Sequence, residues 1–353
     1  MGDDLMSKKK PSFPISKELD LYLSEYSRNI KIPIFYEDLL RFSGSIVVYD
    51  EDDNDTLWLR VFYNEFEREE IDYALKKVYS ILISDGNDDI LQYLNVDTID
   101  FCTFGNSQPF RVKVRNILND NFTYFYIKKA DASRIYGLEL EHMLSPYNLN
   151  YLVYKDTLIE EHIAGIPGDI FIKEHLPSLT EFQKSQIAKE FVKFNERCMI
   201  RLLGDMRSYN YVIVATPDFD HVVYKIRPID FDQQSYEGRL KIYRPQFFKE
   251  NNVMVDLVRS KLQKTSIGQY KIEERSIVAK RILNKLEQLR ALLNCMESDH
   301  ISKPEYVESL RGEIFNFTND IKFKKAENMG EIVRSALDFI RRNYEDVNMK
   351  SLF

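Results

Sequence analysis

Residues 204–210, GDMRSYN, set a carboxylate (Asp205), a guanidinium (Arg207) and a carboxamide (Asn210) in one short polar turn, and PIDFD at 228–232 adds Asp230 and Asp232. Phosphoryl transfer from ATP asks little covalent chemistry of a protein; it asks for positioning and charge. One carboxylate must orient the attacking hydroxyl and take its proton. An amide oxygen and a second carboxylate must hold Mg²⁺, a hard cation that prefers oxygen ligands. A cation must face the moving phosphate. Asp205, Asn210, Asp230 and Arg207 are chemically those four groups.

Such residues need a frame. Ahead of the turn, TEFQKSQIAKEFVKFNERCMIRLL (180–203) has apolar residues at Phe182, Ile187, Phe191, Phe194 and Met199, which predicts a helix with Thr180 as its cap. After the turn, YNYVIV and HVVYKI read as two strands joined by ATPDFD. A hairpin returns the chain to its starting end, so it brings Asp230 back beside Asn210. Upstream, the stretch beginning TIDFCTFG holds three short strands separated by the turn sequences GNSQP and LNDN. ASRIYGLELEHML follows as a helix, then NLNYLVYK and TLIEEHIAG as two more strands before the break GIPGD. Three strands, a helix and two strands is the order of a five-stranded antiparallel nucleotide-binding lobe.

GDMRSYN resembles the catalytic loop of the protein-kinase-like superfamily, especially its aminoglycoside phosphotransferase-like branch. There an Asp follows Gly and an Asn stands five residues on, as Gly204, Asp205 and Asn210 do. Arg207 falls where protein kinases carry a phosphate-contacting Lys. PIDFD is similar to the branch's metal-binding segment, which makes Asp230 the metal ligand and Asp232 a helper. YFYIKKAD resembles the strand that presents the nucleotide lysine, Lys128 or else Lys129. In GLELEHML, Glu139 or Glu141 is the implied partner of that lysine. LIEEHIAGIPG is similar to the hinge, so the backbone of 160–163, with Glu161 and His162, would meet the adenine. The resemblance covers about residues 99–265. It departs at Leu203, where a His or its equivalent stands, at a phosphate-covering loop with Gly105 as its single glycine, and at Asp232, where protein kinases have Gly.

What this implies is an α+β, bilobal protein-kinase-like fold: a flexible tail (1–15), an N-terminal accessory α+β module (16–98), a nucleotide-binding N-lobe (99–165) and a helical C-lobe (166–353). In the accessory module, Ser16 caps a first helix, GSIVVYDEDDNDTLWLRVFYN reads as a hairpin with an acidic turn at 50–55 and alternation through Leu57, Leu59 and Val61, and a helix from Glu65 stops at Gly86. The implied function is an ATP- and Mg²⁺-dependent kinase transferring the γ-phosphate to a hydroxyl of a small molecule or a protein Ser/Thr. The alternative is a pseudokinase or nucleotide-binding scaffold, with AMP transfer as a third possibility.

Composition narrows the remaining classes. A net charge of −7 argues against sequence-independent nucleic-acid binding. Three cysteines without CxxC spacing and five histidines without HxxxH spacing argue against a disulfide framework or a structural zinc site. The start has no apolar leader, Met6 breaks the myristoylation pattern, and no apolar run reaches 18 residues, which together predict a cytoplasmic protein off the membrane.

Overall fold

Period-two alternation builds the first half of the chain. In β4 (Phe110–Asn116) Phe110, Val112 and Val114 are buried while Arg111, Lys113 and Arg115 face the other way; in β5 (Phe122–Lys129) Phe125 and Ile127 are buried against Tyr124, Tyr126 and Lys128 opposite. The computed structural model describes residues 10–84, 86–105, 107–219 and 221–344. It divides the chain into two compact units, one of residues 12–132 and 149–162, the other of residues 133–148 and 163–344 with Lys10 and Pro11.

The first unit is a seven-stranded antiparallel sheet. Its strands are β1 (Gly44–Tyr49), β2 (Asp55–Phe62), β3 (Leu94–Cys102), β4, β5, β6 (Tyr151–Tyr154) and β7 (Thr157–Glu161), in the order β1-β2-β3-β4-β5-β7-β6. The apolar face carries Val61, Ile99, Val112, Phe125 and Ile159, packed with α2 (Tyr36–Leu39) and with Ile71, Leu75 and Val78 of α3 (Glu65–Ile83). Each such side chain contributes about 1.5–3 kcal/mol by leaving water. Helix α1 (Lys17–Glu25) begins at Ser16, whose hydroxyl accepts the Leu19 N–H at 3.2 Å.

Two expected boundaries are corrected here. Residue 98 does not end a module: β3 runs through it and pairs with β2 on one side and β4 on the other. One hydrophobic cluster therefore spans the accessory segment and the nucleotide-lobe segment. Residues 10–15 are not a free tail, because the Phe13 N–H donates to Asp131 at 2.8 Å and its carbonyl accepts the Ala132 N–H at 2.9 Å; the rest of the expected tail, 1–9, lies outside the described residues.

The second unit is mainly helical. It holds most of α4 (Ala132–Leu144), which was expected in the sheet lobe and is buried along nearly its whole length. A three-stranded sheet of β8 (Ile166–Pro167), β9 (Tyr211–Asp218) and β10 (His221–Pro228) has the order β10-β9-β8. The helices are α5 (Gly168–Ile170), α6 (Glu181–Arg201), α7 (Asn252–Lys261), α8 (Lys264–Asn284), α9 (Leu286–Ser298), α10 (Pro304–Thr318), α11 (Ile321–Lys324) and α12 (Met329–Tyr344). Thr180 and Gln183 close a capping box on α6. Ile187, Phe191 and Phe194 are buried as their spacing predicts, but Phe182, in the first turn, is 62% exposed. No helix among the described residues is long and apolar enough to cross a membrane.

Gly168 is a close-approach position. A Cβ there would stand 2.3 Å from the Tyr211 ring and 2.4 Å from the Ser208 carbonyl, both beside the 204–210 turn. Gly168→Ala is expected to cost about 1–3 kcal/mol by overpacking. Gly268→Ala, inside α8 with nothing near its would-be Cβ, should add about 1 kcal/mol through helix propensity. Urea denaturation of both variants checks the pair, and equal effects would contradict the packing argument.

Candidate functional site

The 204–210 turn begins where α6 is forced to stop. Leu202 closes the helix in the left-handed region at φ 55°, and Asp205 enters the same region at φ 56°. Asp is among the residues that tolerate this conformation best, and it still costs about 1–2 kcal/mol. Gly204 lies between them because a Cβ would sit 3.0 Å from the Gln233 carbonyl, the oxygen that accepts the Gly204 N–H at 3.1 Å. Leu203 is fully buried and bridges Gln234 antiparallel, and the Ser235 N–H donates to the Leu202 carbonyl at 2.8 Å. Backbone bonds alone thus tie the turn to the segment that follows PIDFD.

A second tie comes from the hairpin. Pro228 pairs with Tyr211, and the Ile229 N–H donates to the Asn210 carbonyl at 3.0 Å. Asp230, the next residue, leaves the hairpin at the end where Asn210 entered it. The loop is braced from behind by Asn251, fully buried. Its amide donates to the carbonyls of Met206 and Pro245 at 2.8 Å each, and its oxygen accepts the Tyr211 hydroxyl at 2.9 Å.

Within this frame Asp205 is held on three sides. Arg207 Nε donates to its Oδ1 at 2.8 Å, and Asn210 Nδ2 reaches its carbonyl oxygen at 2.7 Å and its Oδ2 at 3.4 Å. Arg207 spends Nη1 on Glu250 at 2.8 Å and lies over the Phe248 ring. Burial pushes the Asp205 carboxyl up to about 6; Arg207 pulls it down, while the charges of Asp230 and Glu250 raise it. The result is a carboxylate poised to take a proton near neutral pH.

Asp230 and Asp232 share a partner about a hundred residues earlier in the chain. Arg134 on α4, 2% exposed, donates Nη1 to Asp230 Oδ1 at 3.0 Å and to Asp232 Oδ1, while the Asp232 N–H also donates to Asp230 Oδ1. The helix is seated there by the Ser133 hydroxyl on the Gln234 carbonyl and by Gly137, whose Cβ would lie 3.0 Å from Phe231. The available signal was an arginine followed by the apolar Ile135, Tyr136, Leu138 and Leu140 of the same helix. No group of three or more His, Cys, Asp or Glu side chains forms a metal cage among the described residues.

In the sheet unit, Lys128 and not Lys129 is the buried lysine. Its Nζ donates to Glu160 Oε2 at 2.8 Å, with both side chains under a tenth exposed. Of the two implied partners, Glu141 is committed to Arg201 and Glu139 accepts from the Gln288 amide. Glu161 accepts the Asn150 N–H at 3.0 Å, which pins the open end of the β6–β7 hairpin. His162 contacts the Tyr126 hydroxyl through Nδ1 at 3.2 Å, and burial, then the Arg111 charge, lowers its pKa, so it is neutral at pH 7. Gly105 adopts φ +87° in the β3–β4 loop, a conformation suited to glycine.

No protein-family model matches this sequence, and no curated protein matches it either.

The raised pKa of Asp205 has a stability consequence. The folded state holds this proton more tightly than the unfolded chain, so the favourable contribution is full below about pH 4 and lost as pH rises through about 6. Asp205→Asn escapes that loss. It should be more stable than the parent by up to about 3 kcal/mol at pH 8, and the difference should vanish at pH 3.5. Denaturant titrations at the two pH values check this, and a pH-independent difference would contradict it.

Proposed function

We propose that the chain is an ATP- and Mg²⁺-dependent phosphotransferase of protein-kinase-like architecture, acting on a hydroxyl of a small molecule or a protein Ser/Thr. The observation that carries this reading is the convergence of Asp205, Asn210 and Asp230 at one end of the β9–β10 hairpin, with Asp205 poised at about 6. The division into two units, and the order of three strands, a helix and two strands ahead of the turn, agree with a bilobal arrangement.

In this mechanism the acceptor oxygen attacks the γ-phosphorus, its proton passes to Asp205 Oδ2, and the bond to the β-phosphate oxygen breaks to release ADP. Arg207 orients Asp205 through Nε, and its Nη2 remains as the donor for a phosphate oxygen. Lys128 anchors the α/β-phosphates, with Glu160 fixing its amine. The hard oxygen donors of Asn210, Asp230 and Asp232 suit Mg²⁺, which keeps waters and phosphate oxygens in its shell and so needs no all-protein cage. Mg²⁺ would supply charge neutralisation of the triphosphate. Arg134 holds both aspartates in place for it.

The same Arg134 pairing also supports a second reading, a nucleotide-responsive scaffold whose acidic pair is already satisfied. Thermal shift separates the two. At a hundredfold excess over Kd, MgATP should stabilise the folded state by about 2.7 kcal/mol. Asp230→Asn and Lys128→Met should abolish that shift. Asp205→Asn should keep it while losing turnover by about 10²–10⁴-fold. Absence of any shift at millimolar nucleotide would sink the phosphotransferase, and intact mass after incubation distinguishes a phosphate from an AMP adduct.

A further inference from the structure

Protein interiors are close-packed, so apolar volume that no side chain fills is informative where it occurs. In the helical unit, the C-terminal end of α6 together with α10, α11 and α12 surrounds a cavity of about 280 Å³. Its walls include Leu202, Ile314, Phe317, Phe323, Phe339 and Ile340. Phe317 is 52% exposed and so stands at the mouth, whereas Leu202, Phe323 and Ile340 are buried. A cavity of about 150 Å³ with such a lining stays dry and admits benzene. At nearly twice that volume, this one has room for a hydrocarbon chain of about ten carbons.

One part of the lining is charged. Arg275 of α8 reaches the cavity, its Nη1 donating to the Tyr344 hydroxyl at 2.7 Å and its Nε to Glu196 at 2.8 Å. Glu196 serves Lys271 of the same helix as well, at 3.5 Å. A further cation, Arg244, lies 5.9 Å from the centre of the Phe317 ring and 4.8 Å from that of Phe247. Its side chain is half-buried, yet among the described residues it has no hydrogen bond and no carboxylate at ion-pair distance. Burial lowers its pKa, with the Glu196 charge opposing. Three cations thus share one carboxylate beside an apolar cavity, and a desolvated charge calls for a partner. We propose that the cavity binds a fatty acid of about ten carbons, its chain among the apolar walls and its carboxylate beside Arg275 and Arg244. A planar carboxylate matches the guanidinium fork, and its charge offsets the surplus. A neutral chain would fill the volume and leave Arg244 without a partner. A short anion would reach the cations and leave the volume empty.

Calorimetric titration of the full chain with decanoate, below its micelle concentration, should show a single site with a dissociation constant on the order of 10–100 µM. Affinity should peak at decanoate, with octanoate and tetradecanoate weaker, because the walls limit the length. Arg244→Gln should weaken decanoate about tenfold and leave decanol unchanged. Ala336→Trp, which puts an indole into the cavity from its α12 wall, should abolish binding of both. No binding of decanoate overturns the proposal, and so does full affinity in Ala336→Trp or decanoate binding that Arg244→Gln leaves untouched. The chain-length series on the unmodified protein covers the case in which the tryptophan harms folding. An affinity that climbs steadily through tetradecanoate marks detergent-like adsorption and also overturns the proposal.

Discussion

A guanidinium without water must be neutralised where it lies, and in the helical unit that constraint decides where the chain goes. Arg197, 4% exposed, meets Glu190 at 2.7 Å and Glu274 at 3.3 Å and donates to the Ile226 carbonyl, which joins α6 to α8 and to the second strand of the hairpin. Arg201, one helical turn later, takes Glu141 of α4. Arg134, from the same face of the chain's most buried helix, takes Asp230 and Asp232. Desolvating such pairs costs several kcal/mol per ion, and they return that cost only when geometry and extra hydrogen bonds are good. Moving any one helix would leave an uncompensated charge in the interior, so these pairs fix register more than they add stability. The 204–210 turn inherits its position from them.

The sheet unit solves a similar problem along a row. Arg60, Asp100, Arg111, Tyr126 and Glu160 lie directly opposite one another on consecutive strands. The Asp100 carboxylate sits between Arg60 at 3.0 Å and Arg111 at 2.8 Å. Lys128 then reaches Glu160 from one position further along β5 on the same face. The row alternates in charge until it ends in a tyrosine and a carboxylate, which is why the buried lysine finds its partner across the sheet. Arg111 also stacks on Trp58 and Tyr124, so the ladder carries aromatic weight as well as charge.

Local periodicity in the sequence reports local structure, and it did so here. The caps at Ser16 and Thr180, the β1–β2 and β9–β10 hairpins and the buried Lys128 all follow from short patterns. What lay outside its reach are pairings between residues far apart in the chain. Nothing near Arg134 indicates that its carboxylates are about a hundred residues away, and nothing near Lys128 selects Glu160 over Glu139. The expected division at 98 failed for the same reason: β3 looks like the start of a lobe by its turn-rich neighbours, while its membership in a seven-stranded sheet depends on β2. Phe182 shows the converse error, since helical spacing cannot tell a first-turn residue at the rim from one over the core.

Charge bookkeeping around the turn ties the proposed chemistry to the observed pairing. Four carboxylates, Asp205, Asp230, Asp232 and Glu250, meet two guanidinium groups, Arg134 and Arg207. With every acid ionised this set carries two negative charges, and with Asp205 protonated it carries one. A single divalent cation is neutralised by the first state, whereas the proposed transfer ends in the second, because Asp205 leaves it carrying the acceptor's proton. Proton and metal therefore respond to the same field. Under the proposed function, a dication arriving with nucleotide would lower the hold of Asp205 on its proton, acting in the same direction as Arg207 already does on the carboxyl at about 6. The proposed base would then be readied by the same charge that brings the phosphate, while burial opposes its ionisation without that charge.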